Sequence, residues 1–129
     1  MQEMAFLFSL GALCFVPVVP AQSAPKPDPE LGKLQVLVGR WTYGEYKSGF
    51  WGPGGKKQGE ANYRFSLNGF VLEGQETEKS GEGQSHLLEI DAYDVANKHI
   101  SSSVYTDDGT TYSAVITLAG NTITWEGTM

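Results

Sequence analysis

The residues able to do chemistry are few. The chain holds two histidines, His86 and His99, one cysteine, Cys14, and carboxylates in short groups. Two histidines without a nearby third ligand do not make a metal site, and a single cysteine excludes a disulfide framework or a cysteine-based zinc centre. Asp107-Asp108-Gly109 has the opening of a calcium loop but lacks its spaced later ligands and terminal glutamate, so it reads as a hairpin turn. Gly52-Pro53-Gly54-Gly55-Lys56-Lys57 invites a phosphate-loop reading. The glycine that pattern needs is Phe50 here, Lys57 stands where Ser or Thr belongs, and no helix follows to aim its amides. Glu73, Glu89, Asp91 and Asp94 are the acids that could serve as an acid/base pair. Glu73 pairs with Arg64 in the register derived below, and Glu89 and Asp91 sit opposite Leu88 and Ile90 along their strand, which reads as solvent. There is no Gly-x-Ser-x-Gly elbow and no spacing that argues a Ser-His-Asp set. No catalytic residue, metal ligand or cofactor is assigned.

These side chains need elements to hold them. Asp28-Pro29-Glu30 opens a helix, with an N-cap acid, proline at the first helical position and an acid in the first turn. Leu31, Leu34, Leu37 and Val38 recur at helical spacing, and Gly39 ends the pattern. A helix this short is not stable alone, so its leucine stripe must cap something larger.

From Arg40 the period becomes two, with Trp41, Tyr43 and Glu45 on one side. A glycine-rich loop is expected over 49–59. Asn68-Gly69 then joins two strands as a hairpin. That turn sets Phe65 opposite Leu72, Tyr63 opposite Gly74 and Arg64 opposite Glu73, giving one apolar face and one polar face with matched charges. A second polar loop is expected over 77–85. Strands follow over 86–93, with Leu88, Ile90 and Ala92 on one side, and over 99–106, 110–118 and 122–126. Asp108-Gly109 read as a two-residue turn places Tyr105 opposite Tyr112 and Ser103 opposite Ala114. Gly120-Asn121 places Ile116 opposite Trp125. The interior face of these last strands is then His99, Ser101, Ser103, Tyr105, Tyr112, Ala114, Ile116, Leu118, Ile123 and Trp125.

Length and charge narrow the class of partner. At 129 residues a single domain is the default, and a net charge of −6 argues against the basic footprint that nucleic acid or an anionic membrane surface requires. Residues 5–19 form an apolar run shorter than a bilayer span but normal for a secretory signal, with cleavage expected after Ala21. The expected division is a signal peptide over 1–21, a linker over 22–29 and a β-domain over 30–129. The chain is expected to be secreted or periplasmic, with no stable membrane span after cleavage.

The lead into Gly39-Arg40-Trp41 resembles the opening of calycin barrels such as lipocalins, fatty-acid-binding proteins and nitrobindin-type domains. That resemblance implies that Trp41 packs at the barrel floor beneath the entering helix. Nitrobindin-like barrels hold haem through a histidine on a late strand that this chain lacks, so no haem role passes to His99. Over 30–127 the chain also resembles a family of exported bacterial proteins known as a domain of unknown function. The shared features are Leu34, Leu37-Val38-Gly39, Trp41, Gly52–Lys56, Tyr63-Arg64-Phe65, Phe70–Gly74, Tyr93-Asp94, Asn97-Lys98 and Trp125-Glu126-Gly127. Ala92 departs from the family's usual glycine. Family members continue for further strands where this chain stops, so the expected fold is all-β: an up-and-down antiparallel calycin-like barrel with a short N-terminal capping helix, incomplete at its C-terminus. Seven strands are counted, and about eight are the fewest that close around side chains or one small ligand.

The interior inventory carries the functional expectation. Tyr63, Phe65, Leu72, His99, Ser103, Tyr105, Tyr112, Ile116 and Trp125 form a mostly apolar wall with a few polar tips, the makeup of a small-molecule pocket. The expected partner is a small hydrophobic or amphipathic ligand inside the barrel. An enzyme acting in the same cavity and a packed barrel that only contacts partners are the alternatives. Phe50 and Trp51 are large enough to close over the barrel mouth.

Overall fold

The computed structural model describes residues 23–46, 55–81 and 83–128. The expected signal peptide and the Phe50-Trp51 lid lie outside them. Asp28 caps a short helix, α1 (Pro29–Gly32), its carboxylate accepting from the Glu30 amide at 2.9 Å, and the chain tightens into a 3-10 helix over Lys33–Leu37. Seven strands follow: β1 (Gly39–Tyr46), β2 (Gly55–Ser66), β3 (Val71–Ser80), β4 (Gly83–Asp94), β5 (His99–Thr106), β6 (Thr111–Ala119) and β7 (Thr122–Thr128). Each pairs antiparallel with its sequence neighbour in the order β1-β2-β3-β4-β5-β6-β7, a meander curled into a half-barrel. Among the described residues no helix is long and apolar enough to cross a membrane.

The core lies where the helical segment meets the concave face. Leu31 and Leu34 are fully buried against Leu72, Ile100 and Ile116, with Phe65, Leu118 and Ile123 around them. The leucine stripe therefore does cap one end of the sheet. Trp41 does not pack beneath it: the indole is 48% exposed and its Nε1 donates to the Leu37 carbonyl at 2.6 Å, bracing the helix end from its rim.

The β2–β3 register follows the expectation, with Tyr63↔Gly74, Phe65↔Leu72 and Arg64↔Glu73. So does β6–β7, with Ile116↔Trp125 and Leu118↔Ile123. The expected loops are shorter than read. Residues 55–59 belong to β2, and β3 and β4 run on until Ser80 pairs with Gly83.

Two strands face the other way from their sequence reading. On β4 the buried side holds Glu89 and Asp91, while Leu88 is 38% exposed. On β5 the buried side holds Ile100, Ser102 and Val104, and His99, Ser103 and Tyr105 alternate onto the convex side. The β5–β6 turn explains the second inversion. Thr106 N–H bonds to the Thr110 carbonyl at 3.0 Å and Gly109 N–H to the Thr106 carbonyl at 3.0 Å, enclosing a loop of three residues, not two. Gly109 takes φ +86°, as the last residue of such a loop requires. Tyr105 therefore pairs with Thr111 and Val104 with Tyr112. One extra loop residue turns the whole strand over, because side chains alternate with period two.

Candidate functional site

The concave face changes character along its length. At the helix end it is apolar. Beyond Leu72 and Ile100 it becomes a layer of carboxyl groups and aromatic rings. The register builds this layer directly: Leu72 pairs with Asp91 and Gly74 with Glu89 across β3–β4, while Asp91 pairs with Ser102 and Glu89 with Val104 across β4–β5. Glu76 follows Gly74 on the same face of β3.

Glycine at position 74 is a spatial requirement. A Cβ there would overlap the Tyr63 ring, which lies flat across the neighbouring strand and carries its hydroxyl to the acids beyond. Gly59 makes the same allowance for the Tyr43 ring. The Tyr63 hydroxyl sits 2.7 Å from Glu76 Oε1 and 2.7 Å from Glu89 Oε2. Trp125 Nε1 donates to Glu89 Oε1 at 2.9 Å and Ser102 Oγ donates to the same oxygen at 3.0 Å. Glu89, 4% exposed, thus collects donors from β2, β5 and β7.

A phenol has one proton to give. Two carboxyl groups at hydrogen-bond distance from one hydroxyl therefore require that one of them bring its own proton. Glu76 fits that role, because burial pushes its carboxyl up to about 7. With Glu76 protonated the three groups form a relay in which Glu76 donates to the Tyr63 oxygen and Tyr63 donates to Glu89; with Glu76 ionised the Tyr63 hydroxyl is the donor to either acid. Burial, then the negative charge of Glu89 and of Glu76 when ionised, pushes the Tyr63 hydroxyl far above the ordinary phenol range, so it keeps its proton. Asp91 is fully buried beside Ser102 and Glu89, and no hydrogen bond of ordinary geometry among the described residues reaches its carboxyl oxygens. Burial, then the charge of Glu89, pushes Asp91 up to about 8. Burying an unpaired carboxylate is costly, and holding a proton is the ordinary way out.

Beside this layer opens a cavity of about 320 Å³. Glu76, Glu89, Tyr63, Tyr112 and Trp125 line it, and Tyr43 and Glu78 complete the wall on the β1 side, with the Tyr43 hydroxyl donating to Glu78 Oε2 at 3.2 Å. Among the described residues no Lys, Arg or His lines it. Nor does any group of three His, Cys, Asp or Glu among them have the geometry to hold a metal ion.

Of the side chains expected to line a pocket, Tyr63, Tyr112 and Trp125 do so. Phe65, Leu72 and Ile116 lie below, in or against the apolar core. His99, Ser103 and Tyr105 are on the convex side; Tyr105 borders a shallow outer groove with His86 and Leu88. His86 is exposed and touches Thr77 Oγ1 at 3.3 Å and Gln84 Nε2 at 3.1 Å. Glu76 and Ser102 are not singled out by the sequence, and Glu89 and Asp91, candidates for an acid/base pair read there as facing solvent, are instead buried. A signal existed for them: Gly81 supports a tight β3–β4 turn, which carries the inward side of β3 onto Glu89 and Asp91. Comparison with protein-family models, curated proteins and solved structures finds no match.

Proposed function

We propose that this is an exported calycin-like protein whose concave face binds a small amphipathic organic molecule. The carrying observation is the cavity of about 320 Å³, walled by aromatic rings on one side and hydrogen-bonding carboxyl groups on the other. That volume is at the small end of ligand pockets, roughly 300–1,000 Å³. The helix-first meander and the unpaired outer edges of β1 and β7 among the described residues support the reading of a barrel that further strands would close. The test is native mass spectrometry of the full-length protein purified from its own host. A retained small organic mass, lost when Trp125→Ala opens the wall, is expected. An empty protein at every concentration contradicts the proposal.

One observation favours a second reading, an enzyme acting on that molecule. The Glu76–Tyr63–Glu89 relay places an acid that titrates near neutrality at a cavity wall, where general acid/base catalysis needs one. Incubation with a small-molecule extract of the host separates the two. Loss of a specific mass that depends on Glu76 supports catalysis, and recovery of every mass unchanged supports binding alone.

A further inference from the structure

We propose that the helix end of this half-barrel docks on a lipid bilayer surface, with Leu67 and Val95 as its leading side chains. The inference goes beyond the ligand-binding reading above and does not depend on it.

The meander decides which residues share an end. The start of β1, the β2–β3 turn and the β4–β5 turn all lie at the end that α1 covers. Leu31 and Leu34 pack there, and Pro27, from the segment leading into α1, lies against Gly69 of the β2–β3 turn. Eight large apolar or aromatic side chains stand exposed among the described residues, and six of them are at this end: Val36, Val38, Trp41, Leu67, Phe70 and Val95. The other two, Leu88 and Tyr105, are neighbours on the convex face. The described turn residues at the opposite end, Ser80-Gly81 and Asp107-Asp108-Gly109, include no large apolar side chain. Exposed apolar side chains scattered singly are ordinary, whereas a gathering of them at one end marks a contact.

The backbone at Leu67 is the independent observation. This leucine is 72% exposed and held at φ +49°, a left-handed conformation that glycine takes freely and leucine does not. Strain and exposure are both unfavourable within the molecule, and burial of the side chain by a partner offsets them. Val95, 77% exposed, stands in the β4–β5 turn at the same end.

Lipid is the occupant that the surroundings favour. The apolar side chains are spread over two turns and the helical segment, with Lys26 and Lys98 exposed among them. That is the makeup of an interfacial surface: aliphatic groups and a tryptophan for the acyl boundary, amines for headgroup phosphates. The acids of this end are engaged within the chain, Glu30 with Lys33 at 2.7 Å, Asp28 with the Glu30 amide at 2.9 Å and Asp94 with Asn97 at 2.8 Å. Residues 1–22 join the fold here as well, so the apolar run 5–19 approaches a membrane from this side. Apolar insertion carries the contact and no anionic lipid is required, in keeping with the net charge of −6. Ser85 and Asp108 reach the cavity wall from the opposite end, so a docked molecule keeps the cavity towards water.

The experiment is co-sedimentation of the full-length protein with phosphatidylcholine vesicles, together with amide hydrogen exchange in their presence and absence. The unaltered protein is expected to bind, with exchange slowed over 67–70 and 95–98 and unchanged over 107–109. Leu67→Ser combined with Val95→Ser is expected to weaken binding at least about fivefold, and Leu88→Ser on the convex face to leave it within about twofold. The exchange measurement needs no variant, so it decides the matter should the double variant fail to fold. Absence of vesicle binding, or equal binding by the double variant, overturns the proposal. Binding without slowed exchange at the two turns, as attachment through residues 1–22 alone would give, overturns it too. So does slowing at the same turns when protein concentration is raised without lipid, which assigns the surface to a second copy. The cavity reading stands under each of these results.

Discussion

Glu73 and Glu76 lie three positions apart on β3 and meet opposite fates. Glu73, on the convex face, accepts from Arg64 at 2.9 Å and from Gln75 at 3.0 Å, and these bonds hold its carboxyl below the usual carboxylate range. Glu76, on the concave face, meets Tyr63 and the charge of Glu89, and burial pushes it up to about 7. The same side chain on the same strand is a settled anion on one face and a proton store on the other. The difference comes from what lies opposite: a base and water outside, more acid and apolar wall inside. An antiparallel sheet separates the two within one residue's rotation.

The largest expected effect is on stability against pH. Asp91 and Glu76 have folded values near 8 and 7, raised from ordinary values of 3.8 and 4.5. Between about pH 4 and about pH 8 the folded protein keeps protons that the unfolded chain has released, so stability falls as pH rises through that window. The convex and loop acids act in the opposite sense. Glu73, Asp94 and Asp108 are held low by hydrogen bonds, Asp108 to about 2, and their contribution is lost as pH falls through those values. Stability is therefore expected to peak near about pH 4–5 and to drop by on the order of 5 kcal/mol by about pH 9. Urea unfolding at constant ionic strength measures this. A maximum between pH 6 and 8, where most proteins have theirs, breaks the contrast between the faces.

Tyr63→Phe comes next. It removes the hydroxyl that joins Glu76 to Glu89 and leaves both carboxyl groups short of a partner, at an expected loss of about 2 kcal/mol. Unchanged stability means that the relay is not made. Gly74→Ala has a decisive sign. Alanine in a strand interior ordinarily gains about 0.5–1 kcal/mol over glycine. Here its Cβ meets the Tyr63 ring, and a net loss of about 1–2 kcal/mol is expected. A gain shows that the ring does not need the space. Smallest is Arg64→Ala on the exposed convex pair, whose unfolding midpoint is expected to move least of the four. An effect as large as that of Tyr63→Phe removes the asymmetry altogether.

The scaffold was legible in the sequence wherever a turn could be placed. Asn68-Gly69 gives the pairing of Tyr63 with Gly74, and Gly120-Asn121 that of Ile116 with Trp125, so three cavity aromatics, Tyr63, Tyr112 and Trp125, are legible in the sequence. The inward turn of Glu89 and Asp91 is not legible, because hydrophobic alternation points the wrong way on β4. Leu88, Ile90 and Ala92 form its more apolar side, yet the pairings Leu72↔Asp91 and Gly74↔Glu89 carry the inward face of β3 onto the acidic side. Burial preference is a weak vote per residue, and register is a strict one. On β5 the vote failed for a different reason: Asp107 joins Asp108 and Gly109 in the loop, its Oδ2 accepting the His86 amide at 3.0 Å, and the strand turns over. A site made of polar groups turned inward is the kind of exception that hydrophobic patterning passes over.

On the concave face Glu76 and Asp91 hold protons well above the ordinary carboxyl range. Carboxyl carbon NMR of the full-length protein, labelled at Asp and Glu and titrated over about pH 3–9, measures this directly, with Glu76→Gln and Asp91→Asn assigning the resonances. Two carboxyl groups titrating above about pH 6, assigned to Glu76 and Asp91, are the predicted result. Complete titration of both below about pH 5, in the folded protein, contradicts the account.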